Sequence, residues 1–69
     1  MIVVDSFAVV AILCGEAEAE LFSDIMEAAD ARYMSAANML ETSMVMHYRL
    51  GAIAHRCVDE FITDADVDI

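Results

Sequence analysis

The sequence predicts an α/β domain with a small parallel sheet. An apolar run over 1–4 opens the chain, and a second strand-like segment, 31–34, comes after two stretches with helical periodicity. A further helical stretch begins after Ser35. Because parallel strands are joined through helices by right-handed crossovers, this order favours a parallel sheet over a helical bundle.

Length and composition limit what this domain can be. The 69 residues make one domain at most, and a chain this short buries only about 60% of the surface that its unfolded form exposes. Hydrophobic residues make up 61% of the chain and proline is absent. This composition is typical of a part of a larger fold, or of a protomer that covers apolar surface with a partner.

The net charge of −10 narrows the classes of ligand. It argues against a simple electrostatic nucleic-acid binder, which needs a basic face to neutralise phosphates. The excess of acids favours a divalent-cation site or a basic partner, while most of the acids are expected to form a solvated surface.

The apolar stretch 1–14 is too short to span a bilayer and has no basic flank, so we expect a cytoplasmic protein. Cys14 and Cys57 form no CxxC motif and are expected to be buried free thiols.

Asp5 follows the first strand directly. Ligands collect at the carboxyl ends of parallel strands, so an acid at this position is placed for a metal or a polar substrate. Equally, Asp5 could cap the helix that follows, and the stretch alone leaves both interpretations open. Ser6 as a cap and Gly15 as a stop signal predict a short buried helix over 7–14.

Residues 16–30 predict an amphipathic helix, with Glu16 in its first turn, where the helix dipole favours an acid without any role in a site. After the strand at 31–34, Ser35 is expected to cap a helix over 36–50 that Gly51 ends. In that helix Glu41 shares a face with Asn38, so an acid and an amide lie one turn apart. Its three methionines are expected to fill the core or an interface: Met39, Met44 and Met46.

A fourth helix is predicted over 52–63, with Ile53 on its apolar side. The acids that follow it alternate as in the opening of a calcium loop, but Ile69 stands where that loop requires glycine, so we do not expect a calcium site. Val67 and Ile69 are expected to begin a strand that the chain does not complete. The prediction is therefore two short parallel strands with about four helices.

Three blocks of the sequence resemble the PIN-domain family of VapC-type toxins. The first runs Met-Ile-Val-Val-Asp-Ser over 1–6 with Ala-Val at 8–9, the second is Ala-Ile-Leu at 11–13 with Gly-Glu at 15–16, and the third is Ser-Ala-Ala-Asn over 35–38 with Glu41. They stand in the family's order and spacing. The resemblance implies that residues 1–69 are the N-terminal part of a single PIN-like αβα domain whose C-terminal half is absent.

The same resemblance implies an endoribonuclease that depends on Mg²⁺ or Mn²⁺. Asp5 and Glu41 match metal-site acids, and they are the expected catalytic and metal-binding residues. Ser6 and Asn38 match supporting positions. The implied partners are an RNA substrate, a cognate antitoxin and a second copy in a homodimer. Phe7 departs from the family pattern, which usually has a small polar residue there, and is expected to crowd or dry the surroundings of Ser6.

A competing hypothesis is that the chain is an inactive PIN remnant that serves only in self-association or antitoxin binding. Two acids make a weak metal site, and an incomplete sheet leaves an open edge that invites pairing with another chain. The family's remaining metal-site acids would lie beyond Ile69, so the acids over 64–68 cannot take those roles.

Overall fold

The computed structural model describes all 69 residues, Met1–Ile69, and confirms the α/β class. Three strands and four helices make up the domain, together with a short 3₁₀ turn at Gly51–Ile53. Their bounds are β1 Ile2–Val3, α1 Ser6–Leu13, α2 Ala19–Ala28, β2 Arg32–Tyr33, α3 Ala36–Leu50, α4 Ala54–Asp64 and β3 Val67–Asp68.

The sheet has three parallel strands in the order β1-β2-β3. The predicted count of two strands is therefore wrong, whereas the expectation that a strand begins at Val67 is confirmed, because Val67–Asp68 pairs with β2. The Met34 amide donates a hydrogen bond to the Asp68 carbonyl at 2.8 Å, and the Val67 side chain is buried. The third strand thus adds both a hydrogen-bonded edge and an apolar side chain to the core.

All four helices pack on one face of this sheet. The central cluster of buried side chains takes members from the sheet and from α1 and α2, and residues of α3 and α4 pack against it. A second cluster lies between α1, α3 and α4. The first cluster is Val4, Val9, Met26, Met34 and Val67, and the second is Val10, Met46, Ala54 and Val58. These residues accordingly form two layers, a sheet and the helices on one face of it, which is consistent with the expected partial α/β fold.

The other face of the sheet is uncovered. Val3, Tyr33 and Asp68 lie in register across it, and the two apolar side chains are 69% and 41% exposed. The outer edge of β1 is also free. Ile2 and Val4 donate to β2 at 2.9 and 2.6 Å, so the alternation of a strand directs the Val3 amide and carbonyl away from the sheet. The predicted buried strand is buried on one face only, although parallel sheets are usually covered on both.

Helix α1 begins one residue earlier than predicted. Its cap is Asp5 and not Ser6: the Asp5 Oδ1 accepts a hydrogen bond from the Ala8 amide at 3.0 Å, while Ser6 is the first helical residue and is buried. The capping interpretation of Asp5 is thus confirmed. Aspartate is common at this position because its backbone can be extended while its carboxylate accepts a hydrogen bond from a free amide of the first helical turn.

Helix α2 is shorter than the predicted range of 16–30. Glu16 lies in the preceding turn, so the prediction that it favours the dipole of α2 is wrong. Its carboxylate pairs instead with Arg49 at 3.0 Å. That hydrogen bond, together with the nearby Cys14 thiol, raises the pKa of the Arg49 guanidinium. The ion pair joins the turn after α1 to the last turn of α3.

Helix α3 has the predicted bounds, with Ser35 as its cap and Gly51 after its last residue. Gly51 adopts a φ of +73°, which glycine tolerates without strain. The chain then makes the 3₁₀ turn, so α4 starts at Ala54 rather than at 52. As a consequence Ile53 is 59% exposed, contrary to its predicted apolar-side position, and Ala54 and Val58 face the core.

Arg32, at the start of β2, hydrogen-bonds the C-terminal ends of two helices. Its Nε donates to the Ala65 carbonyl at 2.6 Å, and its Nη1 donates to the Met26 and Ala29 carbonyls at 2.8 and 2.9 Å. These carbonyls belong to the C-terminal ends of α2 and α4, where unpaired carbonyls and a negative dipole end favour a cation. One half-buried guanidinium therefore ties both helices to β2.

Cys14 and Cys57 are free thiols, as predicted, but each is half-buried rather than buried. None of the helices is both long enough and apolar enough to cross a membrane.

Candidate functional site

The predicted site residues lie at the carboxyl ends of β1 and β2. Asp5 and Ser35 each stand two positions after their strand, and the register that pairs Val3 with Tyr33 makes them neighbours across the sheet. Each caps the next helix: Asp5 accepts from the Ala8 amide, and the Ser35 hydroxyl accepts from the Asn38 amide at 3.0 Å. The amino ends of α1 and α3 thus open at the same edge of the sheet.

Asn38 connects these two helix ends. Its Oδ1 accepts a hydrogen bond from the Ser6 amide at 3.2 Å, and its Nδ2 donates to the Ser35 hydroxyl at 3.1 Å. Its own carbonyl accepts from the Thr42 hydroxyl at 2.8 Å. The amide predicted to support the site is therefore a structural link, because it fixes Ser6 relative to α3.

Glu41 lies one turn after Asn38 on α3 and is exposed. Its carboxylate makes neither a hydrogen bond nor an ion pair in the structure. The Oδ2 of Asp5 is likewise unused by the cap, in which only Oδ1 takes part. Both predicted acids thus offer free carboxylate oxygens.

The carboxylate oxygens of Asp5 and Glu41 are the type of ligand that a hard divalent cation prefers, but only two residues provide them. Mg²⁺ favours carboxylate oxygens and commonly takes only one or two from the protein while keeping several waters. The chain contains no group of three or more His, Cys, Asp or Glu side chains placed to hold a metal ion. Asp5 and Glu41 are the residues that could hold the cation here.

Phe7 is directed towards α2. Its ring makes an edge-to-face contact with Phe22, with centroids 6.1 Å apart and an interplanar angle of 74°. The pair borders an apolar groove of about 270 Å³ that runs beside β1 and reaches Asp5. Phe7 itself is 63% exposed. It thus adds apolar surface next to the site.

No protein-family model matches this chain. The chain is similar to VapC ribonucleases. It is 40% identical over 67 residues to Ribonuclease VapC30 of Mycobacterium tuberculosis, a match that covers 97% of this chain and 51% of that protein. A VapC ribonuclease of Mycobacterium bovis gives the same values.

A second VapC protein of Mycobacterium tuberculosis, Ribonuclease VapC28, is 36% identical over 64 residues, covering 93% of this chain and 48% of that protein. The chain therefore spans about half the length of the curated relatives that it matches. These similarities support the VapC-type resemblance, which the three sequence blocks had already indicated.

The sequence interpretation missed Thr42. Its side chain is fully buried, and its hydroxyl returns to the Asn38 carbonyl one turn earlier. A threonine in a helix commonly bonds the carbonyl four residues before it, so the spacing from Asn38 carried the signal. Thr42 holds the backbone of the turn from which Asn38 and Glu41 project.

Proposed function

We propose that this chain is part of a VapC-type toxin, a metal-dependent endoribonuclease of the PIN-domain family. The observation that carries the proposal is the hydrogen bond from the Ser6 amide to Asn38. It brings the first and third sequence blocks together at the carboxyl edge of the sheet, where α/β proteins bind their ligands. Similarity to VapC ribonucleases over 97% of the chain supports the same assignment.

Asp5 and Glu41 are the proposed ligands of Mg²⁺ or Mn²⁺. The chemistry that such a cation would supply when bound is activation of a water molecule and stabilisation of the leaving oxygen of a phosphodiester. The chain's own residues hold the site in shape: the Ala8 amide fixes Asp5 through Oδ1 and leaves Oδ2 free, while Asn38 sets the position of α3. The positive ends of the α1 and α3 dipoles favour both carboxylates and an incoming phosphate.

The net charge of −10 makes RNA a difficult ligand for this chain alone. Bound cations offset part of the repulsion, and a basic antitoxin would be attracted to the acidic surface. The proposed partners are thus an RNA substrate, a cognate antitoxin and a second copy, all in the cytoplasm.

The uncovered sheet face and the free edge of β1 support the view that the active protein includes more than these residues. A parallel sheet is normally covered on both faces. The VapC relatives are about twice as long as the matched region. We propose that the additional length supplies the missing layer and the further acids that a metal site of this kind needs.

The metal site can be tested on the chain itself. Mn²⁺ titration followed by NMR should selectively broaden amide signals near Asp5 and Glu41. Asp5→Asn, which keeps an oxygen for the helix cap, and Glu41→Gln should each weaken the effect at least tenfold. Asp24→Asn on the exposed side of α2 is the matched control and should change nothing. Broadening that is unaffected by both site variants would overturn the metal-site assignment.

Cleavage of RNA needs a longer protein. In a chimera, this chain replaces the 67 matched residues of Ribonuclease VapC30, and the rest of that protein is kept. We expect Mg²⁺-dependent cleavage of RNA that Asp5→Asn and Glu41→Gln each reduce at least 100-fold, with Asp24→Asn again as the control. Undiminished cleavage by both site variants would contradict the assignment.

The alternative hypothesis from the sequence, an association module without catalysis, is not favoured by the similarity to VapC ribonucleases, although the exposed apolar side chains are compatible with it. Under that hypothesis the chimera folds and binds partners, yet it cleaves no RNA in the presence of Mg²⁺ or Mn²⁺. The cleavage assay therefore separates the two functions.

A further inference from the structure

An exposed aromatic ring stands beside the candidate site. Phe7 is 63% exposed, and it lies in the first turn of α1, two positions after Asp5. Phe22 contacts it edge to face, and such a contact uses either one edge of the Phe7 ring or one of its two faces. At least one face of the ring is therefore open to a ligand, while Phe22 limits the directions in which the ring can turn.

The groove beside β1 joins this ring to Asp5. Eight of the nine residues that line the groove are hydrophobic, and Asp5 is the exception. Helices α1 and α2 contribute Phe7, Phe22 and Ile25 to the lining. A ligand in the groove would thus meet apolar side chains and one carboxylate, which is itself a proposed ligand of the metal.

Charge limits which part of an RNA molecule can bind beside the site. A net charge of −10 disfavours contacts with phosphates over most of the surface, so the bases have to supply much of the contact. Every base has a π face that stacks on aromatic side chains, whatever the charge of its backbone. An open phenyl ring next to the carboxyl edge of the sheet therefore suits an unpaired base whose phosphate lies at the amino ends of α1 and α3.

We propose that Phe7 is a stacking platform for an unpaired base of the RNA substrate, the base next to the phosphate that is cleaved. The inference rests on the proposed function and adds the class of substrate, which is single-stranded RNA with a purine at that position. A purine is preferred because its larger ring system stacks over more of the phenyl face. The preference is modest, since hydrophobic side chains read no base edge by hydrogen bonds.

The platform is a feature of this chain and not of the family that it resembles. The family pattern usually has a small polar residue at the position of Phe7, and such a residue offers no ring for stacking. Relatives with that pattern should therefore lack this preference for a purine.

Adenosine tests the platform without phosphate, cleavage or metal. In an NMR titration of the chain, the ring current of the base should shift the ring signals of Phe7 and the methyl signals of Ala8 and Ile25. Phe7→Leu keeps the apolar bulk but removes the ring, and it should weaken adenosine binding at least fivefold, because stacking of one base strengthens binding about 5- to 150-fold. Phe7→Tyr should retain binding. Tyr48→Leu removes another exposed ring, on α3, and is the matched control that should change nothing.

The chimera described above tests the platform during cleavage. Phe7→Leu should lower cleavage next to purines at least fivefold relative to cleavage next to pyrimidines, and Phe7→Tyr should restore the ratio. A residue that only supported the fold would lower both rates together, as should Asp5→Asn. Failure of the metal site would thus leave adenosine binding intact, whereas failure of the platform would leave cleavage without a purine preference.

Four results would each overturn the proposal. The first is the absence of shifts at Phe7 up to the solubility limit of adenosine, and the second is equal weakening of adenosine binding by Tyr48→Leu. The third is a purine-to-pyrimidine ratio that Phe7→Leu leaves unchanged in an active chimera. The fourth is the loss of the adenosine-dependent shifts in the chimera, which would show that the rest of the longer protein covers the Phe7 ring.

Discussion

Removal of the Arg32 side chain should destabilise the domain more than any surface substitution. The guanidinium donates three hydrogen bonds to carbonyls of α2 and of the residue that follows α4. Hydrogen bonds to charged groups contribute about 1.5–3 kcal/mol each. Partial exposure reduces that sum, so we expect Arg32→Ala to cost about 3–5 kcal/mol. A domain of 69 residues has a total stability of about 3–10 kcal/mol, so this loss would unfold a substantial fraction of the molecules.

Urea denaturation followed by circular dichroism measures this loss. Arg56→Ala is the matched control, because the Arg56 side chain is 80% exposed and only pairs with Glu60 at 3.5 Å on the surface of α4. Its cost should stay within about 0.5 kcal/mol. Arg32→Lys should fall between the two, since one ammonium cannot donate along the directions of a planar guanidinium. A free energy of unfolding for Arg32→Ala within about 1 kcal/mol of wild type would refute this account of Arg32.

Three further predictions follow from single contacts. Ser35→Ala removes the cap of α3 and should lower the free energy of unfolding by about 1 kcal/mol in urea denaturation; an unchanged value would show that the cap contributes nothing. Asn38→Ala leaves the Ser6 amide unpaired, should cost about 1–3 kcal/mol and should accelerate hydrogen exchange at that amide, whereas unaltered exchange would contradict the link. The Met1 amino group hydrogen-bonds Asp30 and lowers the pKa of its carboxyl below 3.8. The resulting stability is therefore present above pH 3.8 and is lost as pH falls through the lower value; NMR titration of Asp30 should show a depressed pKa that N-terminal acetylation restores.

The sequence predicted the elements that depend on local signals. Helix α3 has its predicted bounds because Ser35 and Gly51 are strong cap and stop residues. Asp5 remained ambiguous, since an acid after a strand suits both a cap and a metal site, and the structure confirms the cap without testing the metal. The role of Glu41 as a metal ligand likewise stays a prediction.

Long-range contacts account for what the sequence did not predict. The sequence predicted that a strand begins at Val67 but not that this two-residue strand pairs with β2, because the pairing depends on the positions of α3 and α4. Arg32 donates to the Ala65 carbonyl, 33 residues away, and the Glu16 carboxylate accepts from Arg49, also 33 residues away, rather than lying at the amino end of α2. No local pattern of residue types specifies such partners.

The different bonding of Asp5 and Glu41 has a consequence for how such proteins would evolve. Asp5 caps α1, so a lineage that lost ribonuclease activity would still retain a capping residue there, such as aspartate, asparagine or serine, for the sake of folding. Glu41 has no partner in the fold, so under the proposed role as a metal ligand, substitutions would accumulate at that position first once selection for cleavage ceased. Among descendants of such a gene, the residue at position 41 would therefore record whether the chemistry was still under selection, whereas the residue at position 5 would record only that the protein still folds.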